Sequence, residues 1–160
     1  MEYSELMKEL GARLELEEFQ PDEEGNYRMC IDDAVVTFVE LPAGGLLNTV
    51  AKIGELPEEG GDALCRVLLS AMAPAAAADA YSFYLATDGK SICLRRTDAL
   101  PGITADGFLE VLERYADALA EWRKAIGDFR QALPTIGREL ERQAQEDREL
   151  GMGSDGFLRV

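Results

Sequence analysis

Tyr81-Ser82-Phe83-Tyr84-Leu85-Ala86-Thr87, Asp88-Gly89-Lys90 and Ser91-Ile92-Cys93-Leu94-Arg95-Arg96 form one continuous stretch, and its reading decides the fold class. Two alternating runs flank an Asp-Gly pair, the strongest short signal of a β-hairpin, because the turn needs residues that adopt positive φ. On the first run Tyr81, Phe83 and Leu85 share one face and Tyr84 takes the other. The sheet is therefore antiparallel at this point.

Upstream, Pro57-Glu58-Glu59-Gly60-Gly61-Asp62 leads into a helix with Asp62 as its candidate N-cap. Leu64, Val67, Leu68, Ala71 and Met72 give it an apolar stripe, and Pro74 ends it. Before that come three strand patterns. Tyr27-Arg28-Met29-Cys30-Ile31 alternates, Asp32-Asp33 suits a hairpin turn, and Ala34-Val35-Val36-Thr37-Phe38-Val39-Glu40-Leu41 is rich in β-branched residues. Pro42-Ala43-Gly44-Gly45 reads as a second turn and residues 46 to about 56 as a third strand. Connections this short join antiparallel neighbours, since parallel crossovers need far more chain. Tyr3, Leu6, Met7, Leu10 and Leu14 mark an amphipathic first helix, followed by a loop over residues 20–26.

Downstream, Thr104 is the candidate N-cap of a long helix. Phe108, Leu112, Tyr115, Leu119, Trp122, Ile126, Phe129 and Leu133 recur along it at spacings of four and three. Bulky aromatics at these positions suit a helix lying across a sheet better than a coiled-coil seam. Pro134 is expected to end or kink it, and 135–150 is a charged segment open to a further helix. Gly151-Met152-Gly153-Ser154-Asp155-Gly156 reads as disordered. The whole is α+β, an antiparallel twisted sheet of about five strands with helices, in the order α-β-β-β-α-β-β-α. One domain spans 1–133, and 134–160 is a charged C-terminal extension, partly helical or disordered.

The chain carries 16 basic and 31 acidic residues, a net charge of −15. Such a surface repels nucleic-acid phosphates and anionic membranes, so neither partner is expected. Cys30, Cys65 and Cys93 are odd in number and each sits among apolar residues, which fits buried free thiols in a reducing cytoplasm. No basic and apolar leader pattern opens the sequence, and no apolar run approaches the roughly 20 residues of a membrane span. The expected location is cytoplasmic.

Chemistry is hard to find. There is no histidine, which removes the commonest general base and zinc ligand. The thiols lack metal-site spacing, and neither Gly44-Gly45 nor Gly60-Gly61 opens a phosphate cradle. Asp32-Asp33 could be a carboxylate pair, but a turn explains it. Asp22-Glu23-Glu24 lacks the calcium-loop spacing. No catalytic residue, metal or cofactor is expected.

The order of elements resembles the class I type III secretion chaperones, the Tir chaperone family. The matching stretches are Leu6-Met7-Lys8-Glu9-Leu10-Gly11, Met29-Cys30-Ile31-Asp32-Asp33-Ala34-Val35, Leu56-Pro57 with Leu68-Leu69-Ser70-Ala71-Met72, and Tyr84-Leu85-Ala86-Thr87-Asp88-Gly89-Lys90-Ser91-Ile92. Phe108-Leu109-Glu110 and Ala120-Glu121-Trp122-Arg123 complete it, over about residues 3–133. Met72-Ala73-Pro74-Ala75 departs from the Asn that many relatives carry there, and the tail beyond Pro134 is longer than usual for the family.

The resemblance implies a non-enzymatic, homodimeric bacterial chaperone. It would bind the N-terminal segment of a secreted effector and keep it soluble and export-competent. The alternative is an interaction or scaffold protein of the same fold with a partner unrelated to secretion. By the same resemblance Leu68, Met72, Tyr81, Phe83, Tyr84 and Leu85 would form the dimer interface. The client would meet Tyr27, Met29, Cys30 and Ile31 of a free edge strand, with Leu6, Leu10, Val36 and Phe38, on whichever side is not core, lining its side-chain pockets.

Overall fold

The structure, a computed structural model, describes residues 2–41, 45–75 and 81–151. In chain order the elements are α1 (Tyr3–Arg13), β1 (Tyr27–Ile31), β2 (Ala34–Glu40), β3 (Leu46–Glu55), α2 (Gly61–Ala75), β4 (Tyr81–Leu85), β5 (Ser91–Ala99) and α3 (Ala105–Gly151). The five strands form one antiparallel sheet in the order β1-β2-β3-β5-β4. β5 slots between β3 and β4, which leaves β1 and β4 as the two edges. The α+β class and the element order agree with the sequence reading. Most of the 42–45 turn, the end of the alanine tract and the glycine-rich segment from 152 onward lie outside the described residues.

Cross-strand partners share a face, so the registers sort the side chains into two sets. Met29 with Val36, Phe38 with Thr49, Ala51 with Leu94 and Phe83 with Leu94 define the core face. Arg28, Thr37, Val50, Arg95 and Ser82 line up on the opposite, outer face, as do Val39, Asn48 and Thr97. α1 and α3 cover the core face. Tyr3 packs edge-on to Tyr27, Phe38 to Phe108 and Phe83 to Trp122, at centroid distances of 5.7, 6.0 and 4.7 Å. Tyr115 is fully buried and donates its hydroxyl to Leu94 O at 2.9 Å.

Three boundaries differ from the sequence reading. α2 begins at Gly61, with Leu64 N–H bonded to Gly60 O at 3.1 Å, so Asp62 lies inside the first turn. Its carboxylate there faces the positive end of the helix dipole instead of capping it. β5 continues past Arg96 to Ala99. Arg96 and Asp98, two apart on the core face, form an ion pair with each side chain 12% exposed, so charges that look like a strand end are paired inside the sheet. α3 runs unbroken through Pro134 for 47 residues, about 70 Å at the helical rise. Proline there removes one backbone bond near the middle of a helix anchored by many others, and Arg138 Nε donates to Pro134 O at 3.0 Å.

Two glycines, one near the end of β3 and one in the β3–α2 connection, let α3 pass close by. A Cβ on Gly54 would meet Ile126 at 2.8 Å, and one on Gly60, already at φ +75, would meet Leu133 at 2.5 Å. The Thr104 cap is as expected, with Gly107 N–H donating to its hydroxyl at 3.1 Å.

Candidate functional site

The first edge is β1. Its turn to β2 has only two residues, Asp32 at φ 52 and Asp33, so Ile31 and Ala34 close it as a hydrogen-bonded pair. Bonded and non-bonded pairs alternate from there, which makes Met29 with Val36 a bonded pair and Cys30 with Val35 a non-bonded one. The next hairpin agrees: Leu41 N–H donates to Leu46 O at 2.9 Å, so the odd residues of β2 bond to β3 and the even ones to β1. Arg28 and Cys30 therefore present their N–H and C=O groups away from the sheet.

A cavity opens at each end of this edge. One of about 340 Å³ lies beside Tyr27, lined by Tyr3, Pro21, Glu24, Asn26 and Glu40. Tyr3 donates to Phe38 O at 2.8 Å, and burial pushes its phenol up to about 12, so it remains a neutral donor. Asp22 braces the loop by accepting from Glu24 and Asn26 N–H at 3.0 and 2.9 Å, and its other oxygen meets Arg28 at 2.9 Å. These backbone bonds, Asn26 foremost, hold its carboxyl below the usual range. The second cavity, about 220 Å³, lies beside Ile31 and is lined by Asp33, Ala116, Leu119 and Arg123. Arg123 grips Asp33 with both terminal nitrogens, Nη2 to Oδ2 at 2.9 Å, and this bond holds the Asp33 carboxyl down.

The second edge is β4. Ala86 N–H donates to Ser91 O at 2.8 Å, so by the same alternation Ser82 and Tyr84 bond inward to β5, and Tyr81, Phe83 and Leu85 point their backbone groups outward. Beside it α2 leaves an apolar cavity of about 170 Å³ lined by Cys65, Leu68, Leu69, Phe83, Tyr84, Leu85 and Ile92. Leu69, Val67, Leu85 and Tyr84 are 66, 51, 43 and 38% exposed, four of the five large apolar side chains most open to solvent among the described residues. Exposed apolar side chains gathered this way mark an interaction surface.

The sequence-derived residues divide accordingly. Tyr81, Phe83, Tyr84, Leu85, Leu68 and Met72 all belong to β4 and α2. Tyr27, Met29, Cys30 and Ile31 are the β1 edge; of the three thiols expected to be buried only Cys93 is, since Cys65 is half-buried and Cys30 is exposed on the outer face of its strand. Leu6, Leu10, Val36 and Phe38 need correction, for each is fully buried in the core and cannot line an open pocket. Their places at the β1 edge are taken by the loop, turn and α3 residues around the two cavities. Leu69 and Arg123 were missed. Val67-Leu68-Leu69 was the signal for the first, because three consecutive apolar residues cannot all face one side of a helix. Nothing local signals Arg123, since its partner Asp33 is remote in sequence.

The family model of the Tir chaperone protein (CesT) family matches residues 5–123. The chain belongs to that family. The matched region contains both edges, the α2–β4 surface, the cavity beside Ile31 and all of the one beside Tyr27 except its α1 residues Tyr3 and Ser4. Among solved structures it is similar to a chain of the ExsC–ExsE complex, at 22% identity and a TM-score of 0.64, covering 75% of this chain and 90% of that one. It is also similar to a chain of the HopA1–SchA chaperone–effector complex, at 15% identity and TM-score 0.61, covering 76% and 93%. A third is in the Yersinia pestis type III secretion chaperone SycH in complex with a stable fragment of YscM2, at 22% and 0.53, covering 76% and 99%. At these identities the likeness is one of fold. No curated protein matches the sequence. Among the described residues no helix is long and apolar enough to cross a membrane, and no group of His, Cys, Asp or Glu is placed to hold a metal ion.

Proposed function

We propose that this member of the Tir chaperone family works in the bacterial cytoplasm, without catalysis. It holds the N-terminal segment of a type III secreted effector in a soluble, export-competent form. The observation that carries the reading is the pair of unlike edges in one sheet. The α2–β4 edge, with its exposed apolar side chains, suits a permanent two-fold contact with a second copy. The β1 edge, with outward N–H and C=O groups on Arg28 and Cys30 and a cavity at each end, suits an added client strand. Tyr27 and Ile31 stand about 14 Å apart at the strand rise, so one extended client segment spans both cavities. The extension from 134 lies outside this client-holding body, which we place within 1–133.

The test is purification of the full chain from its native host, with mass spectrometry of whatever accompanies it. A co-purifying protein that is exported, and whose N-terminal segment alone binds the chain, is the expected result. A stable partner that is never exported would replace this reading with that of a scaffold on the same fold.

A further inference from the structure

The outer face of the sheet has an unusual charge distribution for this chain. Although 31 of the 160 residues are acidic, the only carboxylate in register with this face among the described residues is Glu55, at the end of β3 in a salt bridge to Lys52. The remainder is apolar, neutral or cationic. Val35 is 55% exposed, Val39 and Val50 are half-buried, and none of the three joins the hydrophobic core. An antiparallel sheet with one face in water normally carries polar residues there.

Arg95 stands beside Val50 near the centre of this face. Its Nε donates to Ser82 Oγ at 3.1 Å and its guanidinium lies 5.8 Å from the Tyr84 ring centroid. Among the described residues it has no carboxylate partner, so the fork of terminal N–H donors is open to a bidentate acceptor. Charge screening over about 8 Å at physiological salt means that a group bound here feels Arg95 far more than the distant acids of the net −15 chain. Backbone groups within a sheet face are already paired, so a segment that lies on it must satisfy its own backbone, and a helix does so.

We propose that the outer sheet face docks an acidic amphipathic helix of the client, with a carboxylate on Arg95 and apolar side chains on Val35, Val39 and Val50. The inference rests on the client-holding function. Arg28 and Cys30 belong both to this face and to the β1 edge, so a client strand paired to β1 continues directly onto it.

Two fluorescent 18-residue peptides test the surface itself. They share leucines at helical spacing and carry glutamate in one case and lysine in the other at every remaining position. Binding is measured to the full chain by anisotropy at physiological salt. The glutamate peptide should bind wild type and lose about tenfold in affinity to both Arg95→Glu and Val35→Asp, while the lysine peptide gains. Val35 is exposed, so its variant guards against misfolding of the Arg95 one. Non-binding of the glutamate peptide, or equal binding to all three proteins, overturns the proposal. So does a preference for the lysine peptide that ignores both substitutions, which is the outcome net charge alone would give. A client that stays bound to Arg95→Glu but is lost from Cys30→Pro removes this face and leaves the function in place.

Discussion

β1 and β4 are both five-residue edge strands of one sheet, each hairpinned to a longer neighbour, and each turns a row of backbone groups outward. What surrounds them differs. The outward groups of β4 belong to Tyr81, Phe83 and Leu85, next to an apolar cavity and the exposed Val67 and Leu69 of α2. Those of β1 belong to Arg28 and Cys30, between cavities rimmed by Glu24, Glu40, Asp33 and Arg123. An edge set in apolar surface is stable only when covered. An edge with a charged rim stays soluble uncovered and is free to exchange a partner. On the function proposed above, identical backbone chemistry would serve a lasting contact on one side and a transient one on the other, with side chains alone making the difference.

Proline substitution in β1 breaks this comparison most sharply. Met29 donates its N–H to Val36, so Met29→Pro removes a ladder bond and clashes with the neighbouring strand. A loss on the order of 3 kcal/mol is expected, read as a fall of roughly 10 °C in Tm. Cys30 points its N–H outward, so Cys30→Pro should keep a near-native Tm and lose the client. Equal melting of the two variants would show that the register is not the one described. Full client binding by Cys30→Pro would show that the edge is not used.

On the β4 side, Leu69→Glu and Leu85→Glu should split the dimer. A two-fold contact counts each substitution twice, so a lost leucine costs about 3 kcal/mol or more, at least a hundredfold in dimer Kd. Light scattering at micromolar concentration should show a dimer for wild type and monomer for either variant. A wild-type monomer would remove the lasting contact from the comparison, and both edges would then be open.

Most of this fold was legible because its strands alternate, its turns use Asp-Gly and Asp-Asp, and Thr104 caps its last helix in the usual way. The errors have physical causes. Alternation separates two faces without saying which is core, so the sequence offers Val36 and Phe38 as pocket residues on whichever side is not core, and the outer face proves to carry Val35, Val39 and Val50 instead. Pro134 was read by its local rule, whereas packing of Ile126 and Leu133 against Gly54 and Gly60 carries the helix up to it. The strand order and the Asp33–Arg123 grip come from tertiary contacts between segments far apart in sequence.

The smallest expected effect compares the two hairpin turns. Asp33 is held by a residue of α3, but Asp88 is held within its own turn. Asp88 Oδ1 accepts from Lys90 and Ser91 N–H, both at 2.8 Å, and Oδ2 accepts from Ser91 Oγ at 2.7 Å. The Ser91 hydroxyl is the largest of the effects that hold the carboxyl at about 2 against an ordinary 3.8. A folded value below the unfolded one means that the turn's hold on the ionised form is complete above the ordinary value. It fades as pH falls from there through about 2. Carboxyl NMR titration of wild type should therefore place Asp88 near 2, and Ser91→Ala should move it back toward 3.8 with little change in Tm. Asp33 should not move in Ser91→Ala but should rise in Arg123→Ala. If removing Arg123 shifted Asp88 instead, the β4 hairpin would be tied to the long helix as tightly as the β1 hairpin is, and that difference between the edges would disappear.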